Sequence, residues 1–228
     1  MQKNNKFIVI EGLDGSGKST QISLLKNHLE NKNIKYKYLH FPRTDSEIYG
    51  DLVAKFLRGE LGDINSVSPY LISLLYAGDR DNAKTMINQW LKDDYLVIVD
   101  RYVNSNIAFQ CAKLTKDEEK DKLRKWINHL EYEYFKIPKP DLSIFVDVPF
   151  AFTSKKLTEQ RTGDDRDYLQ GKKDIHEENI DFQYNVKKEY LKIVNSEANF
   201  ELIDCSKDEN TILSPDEIFE KIISVLEL

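Results

Sequence analysis

The stretch Gly12-Leu13-Asp14-Gly15-Ser16-Gly17-Lys18-Ser19 decides the fold of this chain. It fits G-x-x-x-x-G-K-[ST] at every fixed position. The apolar run Phe7-Ile8-Val9-Ile10 precedes it, and a helical pattern with Ile22, Leu24, Leu25 and Leu29 follows. Strand, glycine loop and helix in that order make a phosphate-binding loop. The glycines let backbone N–H groups turn inward around a polyphosphate, and the start of the helix adds its positive dipole end. Gly12, Leu13, Asp14, Gly15, Ser16, Gly17, Lys18, Ser19 and Thr20 are therefore the expected site for a nucleoside triphosphate such as ATP. Lys18 would reach the outer phosphates, and the Ser19 hydroxyl would touch Mg²⁺. The plainer alternative is a glycine turn with an exposed lysine, which leaves the flanking strand and helix unexplained.

Further along, short apolar runs alternate with helical stretches. Tyr36–Phe41 reads as a second strand ending at Pro42, and Leu96–Val99 as a third closing on Asp100. Leu142–Val148 reads as a fourth and Phe200–Ile203 as a fifth, closing on Asp204. Runs this short and apolar suit buried parallel strands. Tyr70 to Trp90, Lys116 to Tyr134 and Ile180 to Val194 are long enough for crossover helices. The expected architecture is a three-layer α/β fold: a five-stranded parallel sheet with helices on both faces. Ligands of such folds bind beyond the carboxyl ends of the strands.

The chain has 228 residues, enough for one domain with a substantial core. The net charge of −6 supplies no basic footprint for duplex nucleic acid. Cys111 and Cys205 have no metal-ligand spacing and read as free thiols in a reducing compartment. No apolar stretch approaches the length of a membrane span, and the N-terminal apolar run is too short for a signal peptide. A cytoplasmic protein is expected. Glu159 to Lys173 is rich in Arg, Asp, Gly and Lys with few apolar anchors, so it reads from composition as a solvated loop. The charge run Thr115 to Lys122 reads as a solvated helix start.

Asp100-Arg101-Tyr102 directly follows the third strand. A carboxylate there can orient Mg²⁺ or its waters, and the adjacent arginine points a cation at the same phosphates. An arginine bridging donor and acceptor phosphates offsets their repulsion in a transfer reaction. No N-K-x-D guanine-reading motif occurs, which argues against a GTPase.

In this ordered set the chain resembles the thymidylate kinases, P-loop nucleoside monophosphate kinases. The motifs that carry the resemblance span nearly the whole chain. They begin with Glu11 to Gln21, then Phe41-Pro42-Arg43, then Leu74-Leu75-Tyr76-Ala77-Gly78-Asp79-Arg80. Asp100-Arg101-Tyr102 follows, with Ser105, Ala108, Phe109 and Gln110. Pro140 to Pro149 and Lys173-Asp174-Ile175-His176-Glu177 complete the set.

The resemblance implies transfer of the ATP γ-phosphate to dTMP, on the way to dTTP, with Mg²⁺ held near Ser19 and Asp100. It implies that Asp14 reaches the acceptor sugar 3′-hydroxyl and that Tyr76 stacks on thymine, where the family usually has phenylalanine. Arg80 would bond the pyrimidine carbonyl, one helical turn from Tyr76. Phe41 and Pro42 would shape the base pocket, and Arg43 and Arg101 would hold the acceptor phosphate. Ser105 and Gln110 would lie near the base edge, and Phe109 against the deoxyribose, excluding a 2′-hydroxyl. Gly15 stands where some members carry a catalytic cation. That moves the cation to the segment of about residues 159–173, a mobile lid, and makes one of Arg161 or Arg166 catalytic on closure. The loop after the fifth strand would pack near adenine. The family implies a homodimer acting on ATP and dTMP, with no nucleic-acid or membrane partner. Two rivals are a deoxynucleoside kinase, with Glu11 as general base, and a nucleotide-binding module without turnover. Trp126, Tyr132, Tyr134 and Phe135 lie in a stretch longer than the family core; they read either as packing or as the border of a partner subunit.

Overall fold

Five apolar runs become five parallel strands in a computed structural model. The structure describes residues 6–158, 164–172, 174–177, 179–208 and 211–227, with the side chains of residues 164–166 outside that description. The strands are β1 (Phe7–Glu11), β2 (Tyr36–His40), β3 (Leu96–Asp100), β4 (Leu142–Asp147) and β5 (Phe200–Asp204). Their order is β2-β3-β1-β4-β5, with every pairing parallel. β1 lies at the centre: Ile8 pairs with Ile98 on one side and Leu142 on the other.

The burial pattern follows from that order. β1 and β3 are buried at all five positions, whereas the edge strands β2 and β5 mix apolar and polar residues. Among the described residues, seven α-helices lie between the strands, α1 (Lys18–Asn31), α2 (Tyr49–Leu57), α3 (Pro69–Lys92), α4 (Val103–Cys111), α5 (Asp117–Asn128), α6 (Phe150–Thr158) and α7 (Ile180–Val194), and α8 (Pro215–Leu226) follows β5. Alternate residues feed two cores. Phe7, Val9, Val97, Val99 and Phe145 pack with α3, α4, α5 and α7, while Ile8, Ile10, Ile98, Ile144 and Val146 pack with α1 and α8. These are the two helical layers expected. A smaller cluster of Val53, Phe56, Leu57 and Ile72 joins α2 to α3.

The expected long helix from Lys116 to Tyr134 is divided. α5 starts at Asp117, with Asp117, Glu118 and Glu119 in its first turn, where the helix dipole favours acids. It ends at Asn128, and His129–Tyr134 continues as a wider π turn. There Phe135 N–H donates to Leu130 C=O at 2.9 Å, five residues back. Helices α2, α4 and α6 fall where no helix was expected. All nine residues of α4 are buried, so no polar face breaks the pattern.

Gly78 in α3 is set by a close approach. The Tyr49 ring from the start of α2 occupies the place a Cβ would take. At the C-terminus, Ser214 and Glu217 form the capping box read from Ser214-Pro215-Asp216-Glu217, which starts α8. Both cysteines are buried and free. Of the aromatic stretch after α5, Trp126, Tyr132 and Phe135 pack on the core, whereas Tyr134 is exposed.

Candidate active site

β1 and β3 run parallel side by side, so Glu11 and the phosphate loop leave the sheet next to Asp100 and Arg101. Gly15 and Gly17 have φ of 74° and 83°, left-handed values that glycine adopts without strain. Gly17 caps α1, whose first N–H groups have no helical acceptor and open toward the loop. Lys18 is buried, and its Nζ donates to Leu13 C=O at 2.8 Å and to Gly12 C=O at 3.2 Å. Burial, with Arg101 adding repulsion, lowers the Lys18 ammonium to about pH 8; Asp100, Asp14 and Glu11 oppose the shift. The Ser16 hydroxyl is buried with no hydrogen-bond partner. Ser19 and Thr20 are exposed at the helix start.

β3 delivers Asp100 and Arg101. Asp100 Oδ2 lies 3.1 Å from His40 Nδ1 at the end of β2, while its Oδ1 is buried without a partner. Burial alone would raise this carboxyl, but His40, Lys18 and Arg101 outweigh it and hold it below its usual range. Arg101 has φ 65°, and this left-handed turn swings its side chain back across the loop. Its Nη2 donates to Asp14 Oδ1 at 2.6 Å and its Nη1 to Ser105 Oγ at 3.2 Å, with the Phe109 ring 5.2 Å from the guanidinium. Asp14 also accepts from Gln183 Nε2 at 2.8 Å. Burial works against its charge, yet Arg101 and Lys18 hold it far below the ordinary carboxylate range. The acid inside the phosphate loop is therefore half of an ion pair.

Glu11 explains how this turn is fixed. Its buried carboxylate accepts from Tyr102 N–H at 3.0 Å, Ser105 N–H at 3.2 Å, Ser105 Oγ at 2.5 Å and Tyr190 Oη at 2.9 Å. A carboxylate with four donors anchors the start of α4 and is poorly placed to take a substrate proton. That removes the base a deoxynucleoside kinase would need. Ser105, expected near the base edge, lies inside this network.

The residues expected to read the acceptor cluster on α3, α4 and the β2 exit. Arg80 is 2% exposed. Its Nε and Nη2 donate to Glu131 Oε2 and Oε1 at 2.5 and 2.7 Å. Phe41 and Tyr102 lie 6.0 and 5.9 Å from its guanidinium. Tyr76 is half-buried one turn earlier, and burial beside Asp174 and Asp14 raises its phenol far above the usual range. Phe41 is buried, and Pro42 is half-buried after it. Arg43 is turned to Asp79: Nε and Nη2 donate to its carboxylate and carbonyl at 2.9 Å, and Nη2 also to Asn82. Phe109 packs on His176 and Phe182 at centroid distances of 5.0 and 6.0 Å. Both amide atoms of Gln110 are buried and unpartnered.

The lid is only partly within reach. Arg161 lies outside the described residues, as does the side chain of Arg166, whose backbone falls in the short 3₁₀ helix Asp164–Leu169. The remainder is better anchored than composition suggested. Leu169 is buried, Tyr168 C=O accepts from Arg58 at 2.6 Å, and Tyr168 Oη donates to Asp174 at 2.8 Å. Burial and the nearby Asp14 push the Asp174 carboxyl up to about 7. A cavity of about 470 Å³ opens beyond β5, lined by Phe150, Lys187, Asp204, Ser206 and Lys207. It coincides with the loop expected near adenine.

Glu131, His40, Gln183 and Tyr190 were not read from the sequence. Each is a polar residue whose partner is distant in sequence, and none sits in a motif of its own.

A phosphate loop, a strand-end Asp–Arg pair and a second set of arginines beside it define a P-loop enzyme that brings two phosphorylated substrates together, the arrangement of a nucleoside monophosphate kinase. The thymidylate kinase family model matches residues 10–214, and the chain belongs to that family. It is 35% identical over 208 residues to "Probable thymidylate kinase 1" of Saccharolobus solfataricus, covering 91% of this chain and 93% of that one. The probable thymidylate kinase of Methanosphaera stadtmanae is 29% identical, over 97% of this chain and all of its own. Among solved structures, thymidylate kinase from Candida albicans superposes with a TM-score of 0.72 at 26% identity, over 98% of this chain and 91% of that chain.

Proposed function

We propose a division of labour among these residues for the reaction of the family, transfer of the γ-phosphate of ATP to dTMP to give dTDP and ADP, a step in dTTP synthesis. The loop from Gly12 to Thr20 holds the donor phosphates through its backbone and Lys18. The Lys18 ammonium now satisfied by two loop carbonyls exchanges them for phosphate oxygens. Arg101 spans the junction, and the observation that carries the reading is its ion pair with Asp14, which joins the donor loop to the acceptor side. On substrate binding Arg101 holds the acceptor phosphate and Asp14 accepts from the sugar 3′-hydroxyl. Positioning and charge neutralisation account for most of the rate.

The oxygens near the loop suit a hard divalent cation. Asp100 Oδ1 is buried and unpartnered, and the Ser19 hydroxyl stands at the helix start. Mg²⁺ bound there would neutralise phosphate charge. Few protein ligands are needed, since nucleotide and water oxygens complete such a shell.

On the base side Tyr76 stacks on the pyrimidine, Arg80 meets its carbonyl, and Phe41 and Pro42 wall the pocket. Gln110 offers an unsatisfied amide to the base edge, and Phe109 fills the space of a 2′-hydroxyl. Arg43 is committed to Asp79, so its part in phosphate binding requires that pair to open. A lid cation, Arg161 or Arg166, completes the charge on closure.

Exposed Tyr70, Leu71 and Leu74 share one face of α3 and support a homodimer, checked by sedimentation. No helix among the described residues is long and apolar enough to cross a membrane, in keeping with a cytoplasmic enzyme.

The deciding experiment is an ADP-release assay with ATP and Mg²⁺ against dTMP, dUMP, ribo-TMP, dCMP and thymidine. Preference for dTMP with poor use of the ribo form supports the base and sugar assignments together. Turnover of thymidine but not dTMP would overturn them.

A further inference from the structure

The Arg80–Glu131 pair is out of proportion to ordinary packing. Arg80 is 2% exposed and Glu131 is fully buried. Removing two charges from water costs more than one ion pair returns, unless the geometry is good and the remaining hydrogen-bonding positions are filled. Here the geometry is good and the carboxylate has a further donor, while part of the guanidinium is left open. Glu131 Oε1 accepts a second hydrogen bond from Asn106 Nδ2 at 2.9 Å, and that amide also donates to Ser73 C=O at 3.1 Å. Glu131 thus ties α3 to α4 through groups unable to turn. A buried pair of this kind is weak as a source of stability and effective as a source of orientation.

The orientation has a chemical meaning. Glu131 takes the Nε and Nη2 edge of the guanidinium, whose Cζ lies over the Phe41 and Tyr102 rings. Nη1 has no hydrogen bond among the described residues, so its two hydrogens and the second hydrogen of Nη2 are the donors left. That edge presents only donors. It welcomes a carbonyl oxygen and leaves an exocyclic amino group facing N–H against N–H, an unpaired buried donor on both sides. A freely rotating arginine would make a weaker distinction, because it could turn away from the amino group.

We propose that Glu131, with Asn106 behind it, is the positioning residue that fixes Arg80 and thereby sets the preference for a 4-oxo over a 4-amino pyrimidine. This rests on the reading of Arg80 as the base-contacting arginine. Glu131 touches no substrate itself. It reaches its place because the π turn His129–Tyr134 interrupts the regular helical period after α5.

The test is steady-state kinetics of the full chain and its Glu131→Asp and Glu131→Gln forms, with dTMP, dUMP and dCMP as acceptors and ATP saturating. Thermal melting is recorded beside each. Glu131→Gln is expected to raise KM for dTMP and dUMP about tenfold or more, with kcat and KM for ATP changing far less. The kcat/KM ratio of dTMP over dCMP should fall by a similar factor. Glu131→Asp keeps the charge and should recover part of both losses. If Glu131→Gln does not fold, the acceptor ratio of Glu131→Asp decides: a fall supports the positioning role, and an unchanged ratio overturns it. A loss of kcat with every acceptor, in step with the melting temperature and at constant acceptor ratio, also overturns it and leaves Glu131 as packing. A wild-type chain that ignores dTMP from the outset would instead strike at the reading of Arg80 itself.

Discussion

As proposed, the phosphate side and the base side of this site are built in opposite ways. On the phosphate side nearly every group comes from one unbroken stretch, Gly12 to Thr20, joined by Asp100 and Arg101 from the neighbouring strand end. On the base side the working pair is far apart in sequence: Arg80 meets Glu131 across 51 residues. A phosphate is gripped by backbone N–H groups, which any chain of suitable φ and ψ supplies. A base edge is read by aimed side chains, and aim depends on second partners delivered by the fold. The phosphate side should therefore respond to loss of single charges, and the base side to loss of packing and orientation.

Arg101→Ala tests the first half of that contrast and carries the largest effect. It removes the cation between the two substrates, so kcat should fall about 10³-fold while the melting temperature moves little. Normal turnover in this variant would end the assignment. Gly78→Ala tests the second half. A methyl there meets the Tyr49 ring and must move α2 or α3. Overpacking of this kind costs about 1–3 kcal/mol, and KM for dTMP should rise more than KM for ATP because α3 bears Tyr76 and Arg80. Equal shifts in both constants would show that the two sides are mechanically coupled.

Lys18 sharpens the contrast through pH. Its ammonium must stay protonated to meet phosphate, and burial has lowered it to about 8 in the free chain. As pH rises through that value the charged form is lost, so kcat/KM for ATP should drop about tenfold per unit above it. A profile still flat one unit higher would contradict the lowered value. The smallest effect belongs to a helix outside both sides. Ser214→Ala breaks the capping box of α8 and should cost about 1 kcal/mol, or about 2–4 °C in melting temperature, with both KM values unchanged. It serves as the baseline for stability loss alone.

The same contrast explains what the sequence disclosed. The strands, the phosphate loop and the Asp100–Arg101 turn were legible because apolar runs and glycines act locally, and α7 falls on Ile180–Val194 as expected. The capping box was legible for the same reason. α4 was hidden because a helix buried on every side has no amphipathic rhythm. Glu131 and His40 were hidden because a carboxylate or imidazole shows its purpose only beside its partner. Glu11 was visible but open to misreading. Its place before the loop suggests a base, whereas its four donors make it a structural anchor.

The wide turn at His129–Tyr134 carries a consequence for how this site can vary. Each residue of an α-helix advances the side chains about 100° around the axis, so the phase of Glu131 depends on how many residues precede it as much as on its own identity. Removing one residue from the segment just before Glu131 would turn its carboxylate toward a different neighbour without changing a single side chain. If Glu131 sets the preference of the pocket, that preference depends on the count of residues before it, and a one-residue deletion there would be felt more than a substitution on the exposed face of the same helix.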